Sequence, residues 1–237
     1  MRVFILLTAT ATAMALLTAG CGDKGANPGG NNTGGGGGGG TNTGVVGGDT
    51  SEFIVVDGIK WMKKNLNIET ADSSWCYGNN ADNCGKYGRL YSFDAAKRAC
   101  QSVGWRLPDT SDWNRLVGAA GGYSEAGKRL KSSDGWLKYS GYTNTDDLGF
   151  SALPGGFSTT DGRTRSFVFG EYQGWWWTAT AAGNSGDSAY VRGMFYYNGV
   201  DVSRVQIGRR YCVDAECLIT RYGSIYGFSV RCVEEAR

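Results

Sequence analysis

Apolar positions recur with a helical period in the middle of this chain and with a strand period in its closing third. In "SFDAAKRACQSV", Phe93, Ala96, Cys100 and Val103 fall on one helix face, Ser92 is placed to cap it, and Asp94 sits in the first turn. "DTSDWNRLVGAAGG" repeats the pattern: Trp113, Leu116, Val117 and Ala120 keep the spacing, Asp109 or Thr110 caps the start, and Gly121-Gly122 ends it. "SEAGKRLKS" is long enough for a third, short helix. Ahead of these, "FIVVDGIKWM" sets β-rich residues on both sides of Asp57-Gly58, a hairpin signal. From Gly149 onward helical periodicity stops. "GFSALPGGF", "GWWWTATA", "SAYVRGMFYY", "VSRVQI" and "GFSVRCV" are short strands separated by Gly, Asn and Asp.

The tryptophan run poses the first functional question. In a strand, alternate side chains share a face, so Trp175, Trp177 and Ala179 stand on one side and Trp176, Thr178 and Thr180 on the other. The first is the better core face, which leaves Trp176 as the tryptophan to display, unless a second layer or long loops cover both faces. Tyr196 and Asn198 in "MFYYNG" lie near the same strand, and flat aromatics beside amides suit the stacking of sugar rings. These three residues are the expected ligand contacts. In "GFSVRCV", Phe228, Val230 and Cys232 share a face, which favours a buried disulfide over an exposed thiol.

The beginning of the chain changes the setting. Met1-Arg2 is a short positive start, and "VFILLTATATAMALL" is an apolar run too short for a membrane span but suited to a signal peptide. "LTAG" then leads to Cys21 in the manner of a bacterial lipobox, with an ordinary signal peptide as the alternative. Residues 1–20 are thus read as a lipoprotein signal peptide and Cys21 as the lipidated, palmitate-bearing residue. Acyl chains on Cys21 would make the membrane the first partner. Nothing after Cys21 resembles an inner-membrane retention signal, so the outer membrane is the expected location. Fourteen of the 29 residues in 22–50 are glycine, so ordering this segment would go uncompensated by burial. It reads as a tether spanning about 30 Å root-mean-square.

Residues 51–237 remain, a size suited to one domain. The whole chain carries a formal charge of +2, which gives no electrostatic case for nucleic acid. It also contains no histidine, the commonest general base and metal ligand. Beyond Cys21 there are six cysteines, an even number that in an exported chain argues for disulfides with many pairings open. Cys76 with Cys84 and Cys212 with Cys217 are close pairs, which would leave Cys100 and Cys232 to join each other.

"VDGIKWMKKNLN", "WCYGNNADNCGKYGRLYSFDAAKRAC", "GWRLPDTSDWNRLV", "AGKRLKSSDGW", "DDLGFSALPGG", "GWWWTAT" and "GFSVRCV" occur in that order. Together they resemble the Fibrobacter succinogenes major paralogous domain, a family of exported bacterial proteins often tethered as lipoproteins. More distantly, "RLPDTSDW" and "GFSVRC" are similar to signatures of the formylglycine-generating enzyme and sulfatase-modifying group. That resemblance implies an α+β, C-type-lectin-like fold: irregular, with two to three short helices and two small antiparallel sheets, stapled by disulfides. It also implies a Cys100–Cys232 bridge, in agreement with the pairing above. In those enzymes two cysteines at the spacing of Cys212 and Cys217 bind copper(I) and oxidise cysteine, chemistry that suits soft thiolates. A hairpin disulfide fits the same spacing. Asp146 and Asp147 in "TNTDDLGF" are candidate calcium ligands, with a turn or capping role as the simpler alternative. The expected function is a non-catalytic, lipid-anchored surface module that binds polysaccharide or a surface protein. A copper-dependent oxidase and a structural envelope protein are the alternatives.

Overall fold

Asp57 and Gly58 both take the left-handed backbone, at φ 49° and 76°, as a two-residue hairpin turn requires. They join β1 (Phe53–Val56) to β2 (Ile59–Met62), with Val56 opposite Ile59. The computed structural model describes residues 52–71, 73–138, 140–182, 188–195, 200–206, 210–213, 216–219 and 225–236. All lie within the unit Gly44–Arg237. Among them no helix is long and apolar enough to cross a membrane. Cys21, Tyr196 and Asn198 lie outside the described residues.

The architecture is α+β. The helices are α1 (Ala81–Tyr87), α2 (Phe93–Ser102), α3 (Thr110–Ala119) and α4 (Ala126–Leu130). The caps of α2 and α3 follow from their sequences: Ser92 accepts from the Ala95 amide, and Asp109 and Asp112 form a reciprocal capping box. Helix α1 is the addition to the two or three expected. The Asn80 side chain caps it, and Gly88, at φ 75°, ends it where a Cβ would lie 2.7 Å from Asn65.

The remaining strands are β3 (Ser74–Trp75), β4 (Leu90–Tyr91), β5 (Phe157–Thr160), β6 (Arg165–Val168), β7 (Gln173–Ala181), β8 (Ser188–Phe195), β9 (Val200–Gln206), β10 (Arg210–Val213), β11 (Glu216–Ile219) and β12 (Val233–Glu235). They form five small sheets where two were expected: β1-β2-β12, β3-β4, β5-β6, β7-β8-β9 and β10-β11. "GFSALPGGF" is no strand before Phe157. Gly149, Ser151 and Gly156 are all left-handed, and such turns break a strand's alternation.

The core is two apolar clusters with strands running between them. Trp61, Trp176 and Val233 enter one; their chain neighbours Met62, Trp177 and Cys232 enter the other. In the first, Trp61 stands edge-on to Trp113 at 5.0 Å and to Phe150 at 5.7 Å. In the second, Phe228 lies 4.7 Å from Trp177.

The closing segment links these parts. Phe228 exchanges backbone hydrogen bonds with Tyr91, Ser229 bonds to Trp175 and Trp177, Val230 to Leu66, Cys232 to Met62, and Val233 to Arg106. The run from Phe228 to Val233 is therefore buried on both sides, where alternation gave it one buried face. Arg231 points into this interior and is fully buried. Its Nε donates to Asn65 Oδ1 at 2.7 Å, and its terminal nitrogens donate to the carbonyls of Met62, Phe150 and Ser151 at 2.8, 2.7 and 2.9 Å. The guanidinium also lies over the Phe150 ring.

The two signature segments are joined by charge as well. Arg106 grips Asp112 through both nitrogens, at 2.5 and 3.0 Å, and reaches Glu235 at 3.0 Å. Burial pushes the Asp112 carboxyl up, but hydrogen bonds from Arg106 and the Asp109 amide outweigh it and hold the group below the usual carboxylate range. The Arg and two Asp of "RLPDTSDW" thus fix the start of α3 against β12.

Two disulfides are present among the described residues. Cys76–Cys84 closes a short loop into α1, and Cys100–Cys232 fastens α2 to the closing segment with Cα atoms 5.5 Å apart. Their sequence separations are 8 and 132. In the chain-entropy account, losing them costs about 2.5 and about 5 kcal/mol respectively. Urea unfolding of Cys76→Ser/Cys84→Ser and of Cys100→Ser/Cys232→Ser should reproduce that order, and equal losses would contradict it.

Candidate functional site

The loop after α4 builds a cleft from a turn and one anchored tryptophan. Gly135 turns the chain at φ 87°, packed so close to Leu153 that a Cβ would lie 3.1 Å from its Cδ2. Trp136 then donates its Nε1 proton to the Ala152 carbonyl at 2.8 Å. Asn144 ties the far end of the loop back to the Ser132 carbonyl at 3.1 Å. Between these anchors lies an open cleft of about 310 Å³, with Trp136, Leu137 and Tyr142 as its apolar surfaces and Ser133, Thr143 and Asn144 as its polar ones. Tyr142 is 42% exposed and Leu137 39%, far from what core packing gives a large side chain.

A second loop joins this surface. Phe169 and Glu171 are non-glycine residues in the left-handed region, at φ 59° and 68°, a conformation that costs about 1–2 kcal/mol each. Several bonds hold them there. The Phe169 carbonyl accepts from Tyr172 and Gln173, Glu171 donates to Pro154, and the Glu171 carbonyl accepts from Leu137 at 2.8 Å. The Gly170 amide donates to the Tyr77 hydroxyl at 3.0 Å, and a Cβ at Gly170 would lie 2.7 Å from the Tyr77 ring. The loop therefore hangs on the turn closed by Cys76–Cys84. It presents Phe169 and Tyr172, each about half exposed.

Lys131 supports the cleft from the protein side. It is fully buried, donates to the Phe195 carbonyl at 2.6 Å, and lies 5.0 Å from the Trp136 ring centre. Burial alone pushes its ammonium from 10.5 down to about 8.

The residues singled out from the sequence fall elsewhere. Trp176 is not displayed: it is fully buried, 6.1 Å from Trp113, with its Nε1 proton given to Asn65 Oδ1 at 2.9 Å. Strand β7 lies between the two clusters, so the face shared with Thr178 is as buried as the face of Trp177. Asp146 and Asp147 are both engaged. Asp146 accepts from the Ser151 amide at 2.7 Å and from its hydroxyl at 2.6 Å. Asp147 accepts from Arg129 at 2.7 Å, and hydrogen bonds from Thr145 and Arg129 hold it below the usual carboxylate range. Among the described residues no three His, Cys, Asp or Glu side chains are grouped to hold a metal. The backbone register sets Cys212 opposite Cys217 across β10 and β11; their side chains lie outside the described ones.

Trp136, buried at 7% exposure as part of the first core cluster, and the exposed Tyr142, Phe169 and Tyr172 were not legible as a site. "SDGWLKYSGY" and "VFGEYQG" do set aromatics among Gly, Asp, Lys and Glu without either period, and that is the signal available for displayed rings.

These features define a disulfide-stapled α+β domain that presents aromatic loops from a double core. A family model, the Fibrobacter succinogenes major domain, matches residues 54–234, and the chain belongs to that family. Comparison with curated proteins and with solved structures gives no match.

The Lys131 environment has a pH signature. An unfolded lysine keeps its proton up to about 10.5, so between pH 8 and 10.5 the unfolded chain binds more protons than the folded one. The contribution of Lys131 to stability therefore rises with pH across that window. Urea unfolding at about pH 7.5 and about pH 9.5 should show wild type gaining on Lys131→Met as pH increases; a gap independent of pH would contradict the assignment.

Proposed function

We propose that this domain is a non-catalytic recognition module of the cell envelope that binds polysaccharide. In this reading it is held to the outer membrane by lipid on Cys21 and carried on the glycine-rich tether. The cleft of Trp136 and Tyr142 is the observation that carries it. A sugar ring offers C–H groups on its faces and hydroxyls around its edge. The exposed Tyr142 ring, with Trp136 buried beneath the cleft, stands beside Ser133, Thr143 and Asn144 and meets both, and concave sites commonly combine apolar walls with a few polar groups.

A C-type-lectin-like fold is the companion proposal. It is supported by the small antiparallel sheets, the closing segment threaded between them, and the bridge from α2 to that segment. Such a frame carries exposed loops on a rigid core. For Cys212 and Cys217, the register favours a cross-strand disulfide over a copper(I) pair. Facing Cα atoms of an antiparallel pair lie about 4.5–5.5 Å apart, within reach of a bridge.

A glycan array probed with the full chain tests the recognition role. For a glycan so identified, Tyr142→Ala should weaken binding about tenfold, the equivalent of about 1.4 kcal/mol, in protein shown to be folded by its cooperative unfolding. Wild-type affinity in that variant would remove the aromatic cleft from the account.

A further inference from the structure

A second cleft has a volume of about 290 Å³. Its apolar lining includes Leu66, Tyr87 and Leu153, and Lys64 and Lys86 are its cations. Two residues link the surroundings of the two clefts. Leu153 lines the second and packs against Gly135, next to Trp136 of the first. Glu171 accepts the Leu137 amide from the first cleft on its carbonyl and pairs, 3.8 Å away, with Lys86 of the second on its carboxylate. Leu153 and Glu171 thus each touch residues around both clefts. A single sugar fills one cleft; a chain reaches both.

The clefts differ in charge. In the second, both lysines are held by exposed carboxylates, Lys64 by Glu52 at 3.1 Å and Lys86 by Glu171 at 3.8 Å. Exposed ion pairs contribute about 0–1 kcal/mol, so each is readily exchanged for a carboxylate of a ligand. The first cleft has Lys138 on its lining, which adds a cation there.

We propose that the two clefts are successive subsites for an acidic polysaccharide: a sugar ring lies on Tyr142, and a carboxylate-bearing unit further along the chain displaces Glu171 from Lys86. This rests on the glycan-binding role above, and the test separates the two.

The full chain is titrated with digalacturonate, hexagalacturonate and a neutral hexasaccharide, cellohexaose. Hexagalacturonate should bind at least about tenfold more tightly than digalacturonate, because the second contact is made within the complex. Lys64→Met with Lys86→Met should remove that gain and its salt dependence, while Tyr142→Ala weakens both acidic ligands. Both lysines are more than half exposed, so these variants keep the fold. Glu171→Gln should act in the opposite sense and tighten hexagalacturonate, since it removes the carboxylate that competes for Lys86; loss of a merely structural contact would not do that. Equal affinity for the short and long acids, equal affinity for cellohexaose, or an unaffected lysine variant would each overturn the two-subsite proposal while leaving the aromatic cleft as a glycan site. If none of the three ligands binds and the glycan array is blank as well, the recognition role falls with it.

Discussion

A buried guanidinium holds the middle of this domain together. Arg231 is fully enclosed, and among the described residues no carboxylate touches it; its charge is met by three backbone carbonyls, the Asn65 amide oxygen and the face of Phe150. An ion in such a place is costly unless its hydrogen bonds are made, so each of those acceptors must be held in position. Burial lowers the Arg231 pKa to about 9 against the opposing field of Asp146, which leaves it charged at neutral pH. The cation therefore dictates the paths of residues 62–65, 150–151 and 229–232 together.

The support for those acceptors explains residues that first suggested other roles. Asp146 bonds the amide and hydroxyl of Ser151, whose carbonyl then faces Arg231; a candidate calcium ligand is in fact a second tier of the arginine site. Asn65 receives both Arg231 and Trp176 on one oxygen and gives its amide protons to the Tyr87 carbonyl. The tryptophan expected at the surface is thus required in the interior. With both faces of β7 and of the closing segment committed, Tyr142, Phe169 and Tyr172 are displayed from loops tied to the frame by the Trp136 side chain and the Glu171 amide.

Much of the frame was legible in the sequence because its signals are local. The Ser92 and Asp109 caps, the Asp57-Gly58 turn and the apolar stripes of α2 and α3 each depend on residues within a turn or two. The close cysteine pair at 76 and 84 was similarly plain. What failed was the assumption that a strand has one wet face. Alternation sorted Trp176 from Trp177 correctly, but a strand between two cores gives no polar face to find. Helix α1 was hidden within the disulfide loop, and seven residues are too few to show a period. Arg231 was invisible for a different reason: a charged residue in sequence reads as exposed, and only three distant carbonyls from two segments make its burial possible.

The arginine site is tested most directly by a double-mutant cycle between Asn65 and Arg231. Urea unfolding of wild type, Asn65→Ala, Arg231→Lys and the double variant gives the coupling between them. Hydrogen bonds to a charged group carry about 1.5–3 kcal/mol, so the double variant should lose that much less than the two single losses combined. Strictly additive losses would mean that the two residues act independently and that the buried cation does not organise the fold around it.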